Sequence, residues 1–473
     1  MIFSTTLFLF LFLPLFLAVY YLLPFRVRSG WILVSSYAFY AWWRVDFLAL
    51  FVATTLWSYL LGRLVGRWRE SHPRRAKTAL TLGIVGNLGT LAYFKYFNFG
   101  VESFNALLTS VGATPVSTWQ VILPIGISFY VFQATSYLVD VYRGDAPPDE
   151  SFFDVAAYIA LFPQLIAGPI LRYKDLAHQF RQRSHTFEKF SAGSLRFMVG
   201  FCKKVLIADG VAGMADAAFS VTNPTFADAW LGALAYAVQL YFDFSGYSDM
   251  AIGLGLMMGF RFTENFNYPY ISRSITEFWT RWHISLSSWL RDYLYIPLGG
   301  NRRGRGRTYL NLSMVMLLGG LWHGAAWTFV LWGAWHGGIL VLERFLGERE
   351  LWQEVSPILS IPRTFLLVTL GWVTFRAVDF SNALGMYAGM VGANGWRVSD
   401  ELSWQLTGLG VSTLVVSLVL TALAPWWNNL GRVSSRVKTQ VATTNLAILP
   451  LFILGVLRIA ADSGFSPYLY FQF

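Results

Sequence analysis

The chain is poor in charged residues and almost without cysteine. Only 13% of its 473 residues are charged, against roughly 25% in soluble domains, and 55% are hydrophobic. Most of its surface must therefore face something other than water, and the composition predicts a polytopic membrane protein. The single cysteine, Cys202, excludes a disulfide framework and a thiolate metal cluster. The six histidines show none of the short zinc spacings, so we expect no metal site and no bound cofactor.

Several motifs of soluble enzymes are also missing. There is no P-loop and no Gly-x-Ser-x-Gly elbow, and the glycines at 253, 255 and 259 have the wrong spacing for a dinucleotide loop. No histidine is followed five residues later by aspartate, which is the signature of soluble-type glycerolipid acyltransferases. ATP-driven transport and serine-hydrolase chemistry therefore lose support, and any histidine chemistry must be of another kind.

The net charge of +10 does not indicate nucleic acid binding. The basic residues come in short bursts between apolar segments, which is the positive-inside pattern of membrane proteins. We therefore expect these loops on the cytoplasmic side and the amino terminus outside. The bursts lie at 26–28, 63–77, 172–189, 302–307 and 432–438.

The apolar segments have the length of membrane-spanning helices, which makes the predicted fold all-α. The first, Met1 to Pro24, has no basic start and no cleavage site and exceeds the ~7 to 15 residues of a signal h-region, so we predict a retained span. A span needs about 20 apolar residues, and roughly eleven or twelve spans are predicted within one domain, 1–473. The candidates are 3–23, 30–43, 47–62, 79–97, 119–141, 192–218 (kinked at Lys203 and Lys204), 228–246, 308–321, 325–342, 364–377, 405–424 and 444–461.

The apolar run Phe152 to Leu171 is too interrupted for a plain span. It contains Pro163, Gly168 and Pro169, so we predict a re-entrant or broken helix. Backbone that leaves helical pairing at membrane depth is tolerated only where protein or a water-filled cavity surrounds it. A cavity is therefore expected nearby.

The segment Ile275 to Leu298 predicts one amphipathic helix. Its apolar residues recur at helical spacing and include Trp279 and Trp282, while charged residues and serines form the opposite face with Ile284 as an apolar exception. Such a helix suits the membrane interface or a protein-lined funnel. The same spacing places His283 on the apolar face.

Two carboxylates stand inside the otherwise apolar stretch Tyr241 to Met250. Asp243 and Asp249 are accompanied there by the hydroxyls of Ser245 and Ser248. One interpretation is a helix break in which both carboxylates accept hydrogen bonds from the backbone or from arginine, since buried polar groups are usually satisfied. The other is that the stretch lines a substrate tunnel or supports a catalytic residue, because ionisable groups at membrane depth are often functional.

His323 lies between glycines and joins two further apolar segments, 310–321 and 326–342. An ionisable group at this depth is a functional hypothesis by default, and a neutral imidazole is suited to take a proton from an acceptor hydroxyl. The alternative is a packed histidine whose ring nitrogens bond the backbone. A second histidine, His336, follows 13 residues after His323, about 220° round an ideal helix, so we assign it to packing. The motif reads Gly319-Gly320-Leu321-Trp322-His323-Gly324.

These motifs, taken in chain order, resemble those of the membrane-bound O-acyltransferase family. The resemblance runs essentially from end to end, and so many matches in order are highly specific for the family but less specific for the acceptor. The matching segments are Phe3-Ser4, Tyr40-Ala41-Trp42-Trp43, Leu123 to Tyr130, Phe162 to Pro169, Tyr241 to Met250, Glu277 to His283, Gly320 to Gly324 and Ser466 to Phe473.

The resemblance implies a bowl of helices with re-entrant and interfacial helices and a central tunnel. It also implies an O-acetyltransferase that moves acetyl from cytoplasmic acetyl-CoA across the bacterial inner membrane for the O-acetylation of an exopolysaccharide. Alginate is the favoured acceptor, with cellulose or peptidoglycan as alternatives. The implied partners are membrane lipid and an extracytoplasmic SGNH-type acetyltransferase or acetyl carrier. A non-catalytic acyl or solute transporter is the competing class, but it would show related halves, and none are apparent.

The match to the family also implies roles for single residues. His323 corresponds to the catalytic histidine of the family and His283 to its second histidine. Trp279, Trp282 and Trp322 accompany them in the two tryptophan-rich motifs and are expected to line the tunnel or the donor site. In this scheme the second histidine lies near the donor or holds the first in place.

The basic loop Asn301 to Arg307 is a candidate for binding the donor. Arg302 and Arg303 are predicted to bind the phosphates of coenzyme A, because guanidinium groups chelate phosphate well. The alternative is a topogenic role or a contact with anionic lipid.

The chain end, Pro467 to Phe473, is aromatic and bears no charge except its carboxylate. One interpretation is an aromatic belt at the level of the lipid headgroups. The positive-inside pattern places this end outside, and it resembles a short aromatic carboxy-terminal motif in which a tyrosine is thought to carry the acyl group. By that match Tyr470 would accept acetyl as a phenyl ester and pass it to the extracytoplasmic partner, dividing one transfer into two steps.

Overall fold

The computed structural model describes residues 2–148, 151–348, 356–433 and 437–461, except for the side chains at 348, 424–433 and 437–447. Within these ranges the chain forms helices and no strand, which confirms the predicted all-α fold. It divides into two compact units, Met1–Ser194 with Ala251–Thr263, and Leu195–Met250 with Glu264–Phe473. The aromatic chain end with Tyr470 lies outside the described residues.

Eight α-helices begin in the described part of the first unit, and a π-helical stretch, Phe8–Phe12, leads into the first of them. They are α1 Leu13–Leu22, α2 Arg28–Ala41, α3 Asp46–Trp68, α4 Pro73–Ser110, α5 Ile127–Arg143, α6 Phe152–Ala160, α7 Tyr173–Arg181 and α8 Phe187–Cys202.

The remaining α-helices begin in the second unit, which also contains the π-helical stretches Lys203–Ala208 and Arg291–Tyr295. They are α9 Asp209–Ser220, α10 Phe226–Met257, α11 Ile275–Arg281, α12 Ile284–Leu290, α13 Arg305–His323, α14 Trp327–Glu348, α15 Pro357–Arg376, α16 Phe380–Met390, α17 Asp400–Ser403, α18 Gly408–Val433 and α19 Val437–Ala461.

Local sequence sets several helix ends. The helices α4 and α15 begin at Pro73 and Pro357, where the missing N–H of proline leaves no helical hydrogen bond unmade. The side chain of Ser151 caps α6 by accepting a hydrogen bond from the Asp154 N–H. Gly144 ends α5 with φ +80°, a left-handed conformation that suits glycine.

Two described helices, α3 and α15, are long and apolar enough to cross a bilayer by length and composition. Three shorter helical stretches, Phe8–Leu22, Gly408–Leu423 and Ile448–Ala461, are also apolar. The predicted total of eleven or twelve spans stays a prediction.

The broken helix predicted for Phe152 to Leu171 is confirmed. The helix α6 ends at Ala160, and residues 161–172 contain no helix. Surrounding protein satisfies the backbone here: the Phe162 N–H donates to Ser36 Oγ at 3.1 Å, and Tyr158 Oη donates to the Leu171 carbonyl at 2.8 Å. The irregular backbone is therefore buried in protein, as membrane depth requires.

A π-helical turn begins at Lys203, where the sequence predicts a kink, and the kink itself stays a prediction. The π-helix Lys203–Ala208 separates α8 from α9. Such π-helical turns distort a helix locally and are frequent at functional sites.

The single amphipathic helix predicted over 275–298 is wrong. The helix α11 ends before Trp282, His283 adopts a left-handed conformation with φ +45°, and α12 begins at the next residue. The break is stabilised by Asn265, whose backbone carbonyl accepts from the Ile284 N–H at 3.0 Å. On the predicted polar face Ser285 is buried, at 4% exposure, whereas Arg291 is exposed.

The helix break that one interpretation predicts between Tyr241 and Met250 is wrong as well, because α10 runs unbroken through this stretch. The carboxylates are satisfied across a close helix crossing instead. A Cβ atom at Gly246 would lie 2.7 Å from the carbonyl oxygen of Gly200, so the two glycines allow α8 and α10 to approach.

Glycines also bring α13 and α14 together. A Cβ atom at Gly320 would lie 2.3 Å from the carbonyl oxygen of Phe329, and one at Gly333 would lie 2.5 Å from that of Met316. Small residues are the usual means by which helices of membrane proteins pack closely. This hairpin fixes the position of the histidine at its tip.

Candidate active site

A cavity of about 300 Å³ lies against one face of α13 in the second unit. The residues of α13 that line it recur in the i, i+3, i+4 pattern, which places them on a single face. From the first to the last is eleven residues, or about 17 Å along the helix axis. We call this cavity the slot; its α13 wall consists of Leu312, Val315, Met316, Gly319 and His323.

The opposite wall of the slot runs antiparallel to α13. Leu290 lies beside Gly319, and further along the chain the Gly300 carbonyl accepts a hydrogen bond from Asn311 Nδ2 at 2.9 Å. The chain from α12 onward therefore runs away from His323. The remaining lining residues come from α11, α12, the π-helical turn and α14: Thr276, Trp279, Thr280, Leu286, Ser287, Leu290, Arg291, Tyr295, Trp332 and Leu340.

His323 stands at the inner end of this wall as the last residue of α13, and it is 4% exposed. Its ring lies 5.2 Å from that of Trp332 and 5.3 Å from that of Phe375 between centroids. A Cβ atom on the next residue, Gly324, would lie 2.0 Å from the Phe329 ring, so the turn after the histidine requires glycine. The predicted location of the histidine between two apolar helices is confirmed.

His283 is fully buried and held by Asn265. Its Nδ1 lies 3.1 Å from Asn265 Oδ1, which also accepts from Ser285 Oγ at 2.8 Å, while Asn265 Nδ2 donates to Ser248 Oγ at 2.9 Å. Because an amide oxygen can only accept, Nδ1 of the histidine carries the proton and Nε2 is its basic nitrogen.

His283 and His323 lie close together but differ in their contact with the slot. Their ring centroids are 6.3 Å apart, and Trp322 lies 6.0 Å from His283 and 5.0 Å from His323. Among the described residues, His323 lines the slot and His283 does not. This geometry favours the supporting role for His283 over contact with the donor.

The carboxylates of α10 form ion pairs, and we call the group Arg196, Lys203, Lys204, Asp243 and Asp249 the charge cluster. Lys203 Nζ lies 2.6 Å from Asp249, whose other oxygen accepts from Arg196 Nη2 at 2.8 Å. Lys204 Nζ lies 2.8 Å from Asp243. The interpretation that these carboxylates are satisfied is confirmed, although by lysine as well as arginine. Neither carboxylate is among the described residues that line the slot.

Of the other predicted residues, Trp279 lines the slot. Ser245, Trp282 and Trp322 are buried at 2–4% exposure and, in the described part of the chain, do not line it. The ring of Trp282 packs 4.9 Å from that of Trp372. These three residues belong to the buried packing of the second unit.

Asn301, Arg302 and Arg303 lie exposed in the bend before α13. This bend folds back on the slot, because the Gly300 N–H donates to the carbonyl of the lining residue Tyr295 at 2.9 Å. Arg302 and Arg303 therefore lie beyond the end of the slot that is farther from His323.

Sequence reasoning missed three residues that shape the site. Arg291 lines the slot with a side chain that is 60% exposed and paired with Asp292 at 2.8 Å. Asn265 holds His283, but nothing in the sequence links residues 18 apart in this way. Glu343 is the third, and an acidic residue at the end of an apolar run was the signal that could have revealed it.

Glu343, 8% exposed on α14, anchors the start of α11. Its carboxylate accepts from the Ile275 N–H at 2.7 Å, from the Thr276 N–H at 2.9 Å and from Thr276 Oγ1 at 2.8 Å. The first N–H groups of a helix have no partner within the helix, so this carboxylate satisfies two of them. It thereby fixes the helix that carries Trp279 to the slot.

Metal chemistry gains no support from the side chains. Within the described ranges, no three histidine, cysteine, aspartate or glutamate residues come together to hold a metal ion. The slot itself presents one histidine and one arginine among largely apolar groups. It can hold an elongated, mostly apolar arm and bring its end to an imidazole.

The described helices thus place a buried histidine at the end of an apolar slot. Residues 146–349 match the model of the membrane-bound O-acyltransferase family. The whole chain is 54% identical to the probable alginate O-acetylase of Pseudomonas putida, with all of both chains covered. It is 35% identical to the peptidoglycan O-acetyltransferase of Helicobacter pylori, over 100% of this chain and 98% of that one.

The similarity extends further to the teichoic acid D-alanyltransferase of Bacillus subtilis, which is 28% identical over 54% of this chain and 69% of its own. The chain therefore belongs to the membrane-bound O-acyltransferase family and is an O-acyltransferase. The transporter interpretation is set aside by this membership.

Proposed function

We propose that the chain transfers acetyl from acetyl-CoA, presented at the cytoplasmic face of the bacterial inner membrane, for the O-acetylation of extracytoplasmic alginate. Full-length identity to probable alginate O-acetylases supports alginate over peptidoglycan, whose acetyltransferase relative is less similar. The observation that carries the proposal is the slot, which has His323 at one end and the basic bend at Asn301 beyond the other.

In the proposed mechanism His323 is the general base. It takes the proton of an acceptor hydroxyl, and the hydroxyl oxygen attacks the carbonyl carbon of the thioester. The tetrahedral intermediate then collapses with loss of the thiolate, which recovers the proton from the imidazolium. General base catalysis of this kind contributes roughly 10² to 10⁴ in rate. His283 acts as a positioning residue through Trp322, which lies against both rings.

The donor end of the slot is suited to a nucleotide. Arg291 at the slot and Arg302 and Arg303 beyond it would pair with the phosphates of coenzyme A, since guanidinium binds phosphate with two parallel hydrogen bonds. The thiol arm would then lie along α13 with the acetyl group toward His323. A topogenic or lipid-binding role for the bend is the competing interpretation.

The acceptor hydroxyl is either that of a transfer partner or that of Tyr470. Tyr470 lies outside the described residues, so the relay rests on the sequence alone. An acetylated phenol is an activated ester, because a phenol of pKa ~10 leaves more readily than an alkyl alcohol. Tyr470→Phe should then abolish polymer acetylation, and mass spectrometry of native carboxy-terminal peptides should detect an acetyl adduct. Normal acetylation in the variant would contradict the relay.

The identity of the acetylated polysaccharide is tested in a bacterial strain that lacks its own O-acetylases but keeps the partner proteins of each polysaccharide system. Expression of the chain should restore ester-linked acetate on alginate, measured on purified polymer, and His323→Ala should not. Acetate on peptidoglycan or cellulose alone would assign the other acceptor. The donor is tested with the purified chain in vesicles, by following release of free coenzyme A from acetyl-CoA.

A further inference from the structure

Gly319 is the lining residue of the slot that has no side chain. It lies in the interior of α13, three residues after Met316 and four before His323, on the face that forms the slot wall. A glycine in the interior of a helix is destabilising relative to alanine. Its presence here therefore requires a physical reason.

Packing does not supply that reason. A Cβ atom at Gly319 would meet a single neighbouring atom, Leu290 Cδ1 at 3.5 Å, which is an ordinary contact. The adjacent Gly320 is different, since its Cβ atom would lie 2.3 Å from the Phe329 carbonyl oxygen. Gly320 is required by the close approach of α14, whereas alanine would fit at Gly319 without moving the backbone.

A Cβ atom at position 319 would instead occupy the slot. Both Gly319 and Leu290 line it, from opposite walls, so a methyl group placed between them narrows the passage. A molecule that lies along α13 from Arg291 to His323 passes this point, because Leu290 precedes Arg291 on the facing wall.

We propose that Gly319 is a specificity-determining residue, whose missing side chain keeps the slot open for a thin, unbranched thioester arm that ends in a small acyl group. This inference rests on the proposed function, in which the donor reaches His323 along the slot. It adds that the width at position 319 limits which acyl thioesters react.

The test compares Gly319→Ala, Gly319→Leu and Gly320→Ala in purified protein reconstituted in vesicles. Turnover is measured with acetyl-CoA and propionyl-CoA, and the midpoint of thermal unfolding is measured for each variant. A displacement of about 1 Å costs roughly 10²-fold in rate, so we expect kcat/KM to fall about tenfold for alanine and about a hundredfold for leucine. The preference for acetyl over propionyl should increase in Gly319→Ala.

The unfolding midpoint separates this role from a structural one. Gly319→Ala should unfold at the same temperature as the native chain or higher, while Gly320→Ala should unfold at a lower one. A lower midpoint in Gly319→Ala would overturn the proposal, because it would show that packing requires the glycine. Native turnover in Gly319→Ala, or an unchanged acyl preference, would overturn it too.

Failure of this inference is distinguishable from failure of the proposed function. If His323→Ala is inactive and Gly319→Ala is fully active, the role of His323 as general base is supported and the proposed role of Gly319 is wrong. If His323→Ala keeps native turnover, the proposed site itself is wrong.

Discussion

The slot and the charge cluster both place ionisable side chains among apolar helices of the second unit, but they do so differently. In the charge cluster, Asp249 is held by Lys203 and Arg196 at 2.6–2.8 Å, so its charge is matched within the protein. In the slot, His323 is surrounded by aromatic rings and borders a cavity. From this difference we expect the ion-paired carboxylate to have a structural role, and the histidine that borders a cavity to have a chemical one.

The largest effect is expected from His323→Ala. Loss of the general base should lower turnover by roughly 10² to 10⁴ while the unfolding midpoint stays near the native value. Release of coenzyme A from acetyl-CoA measures the effect. The matched control is His72→Ala, because His72 is exposed in the first unit. Equal activity in His323→Ala and His72→Ala would show that His323 is not the general base.

The second prediction concerns the charge cluster. Asp249→Ala leaves the Lys203 cation without its carboxylate, whereas Arg196 keeps its ion pair with Glu264. Removing one partner of a buried pair in this way costs about 3 kcal/mol or more of stability. We expect a lower unfolding midpoint and less folded protein, with an unchanged KM in the folded fraction. The control is Glu401→Ala, which removes an exposed carboxylate. A raised donor KM with native stability would instead place Asp249 at the substrate.

A smaller effect is expected at Glu343, which connects α14 to the slot. Glu343→Ala leaves two helix N–H groups without an acceptor, at about 1–3 kcal/mol each if they stay buried. The helix α11 should then shift Trp279 and lower kcat/KM by about tenfold, or roughly 1.4 kcal/mol of transition-state stabilisation. Glu343→Gln keeps one of the two acceptor oxygens, which accept from different N–H groups, so it should recover only part of the rate. Native turnover in Glu343→Ala would contradict the anchoring role.

The smallest effect is expected at the exposed end of the slot. Replacing Arg302 and Arg303 together by glutamine should raise the KM for acetyl-CoA several-fold and leave kcat unchanged, since exposed charges contribute roughly 0.2–1 kcal/mol each. The increase should shrink at high salt, because salt screens exposed charges. An unchanged KM together with altered orientation of the chain in the membrane would support the topogenic interpretation.

The sequence predicts the helices of the slot better than their connections. The apolar runs on either side of His323 predict α13 and α14, because the glycines and the length of the runs leave little alternative. The break at His283 is not predictable from its own segment, since the groups that stabilise it belong to Asn265. Ile284, an apolar residue on the supposed polar face, was the only local sign of it.

The pairing of the charge cluster shows the same limit. Asp243 and Asp249 are recognisable as carboxylates in an apolar stretch, but their partners lie on the preceding helices at a crossing that depends on Gly200 and Gly246. Glu343 likewise acts on residues 67 and 68 positions away. Local patterns predict which residues are unusual, whereas the contacts that decide their roles are long-range.

The most direct test of the central claim is to label the acyl-transfer position chemically. Bromoacetyl-CoA carries an alkylating carbon where acetyl-CoA has its methyl group, and an imidazole nitrogen within reach displaces bromide to form a stable adduct. Peptide mass spectrometry of the purified chain should find this adduct on His323, and excess acetyl-CoA should prevent it. Labelling confined to Cys202 or to other histidines, with His323 unmodified, would contradict the assignment of the slot as the site of acyl transfer.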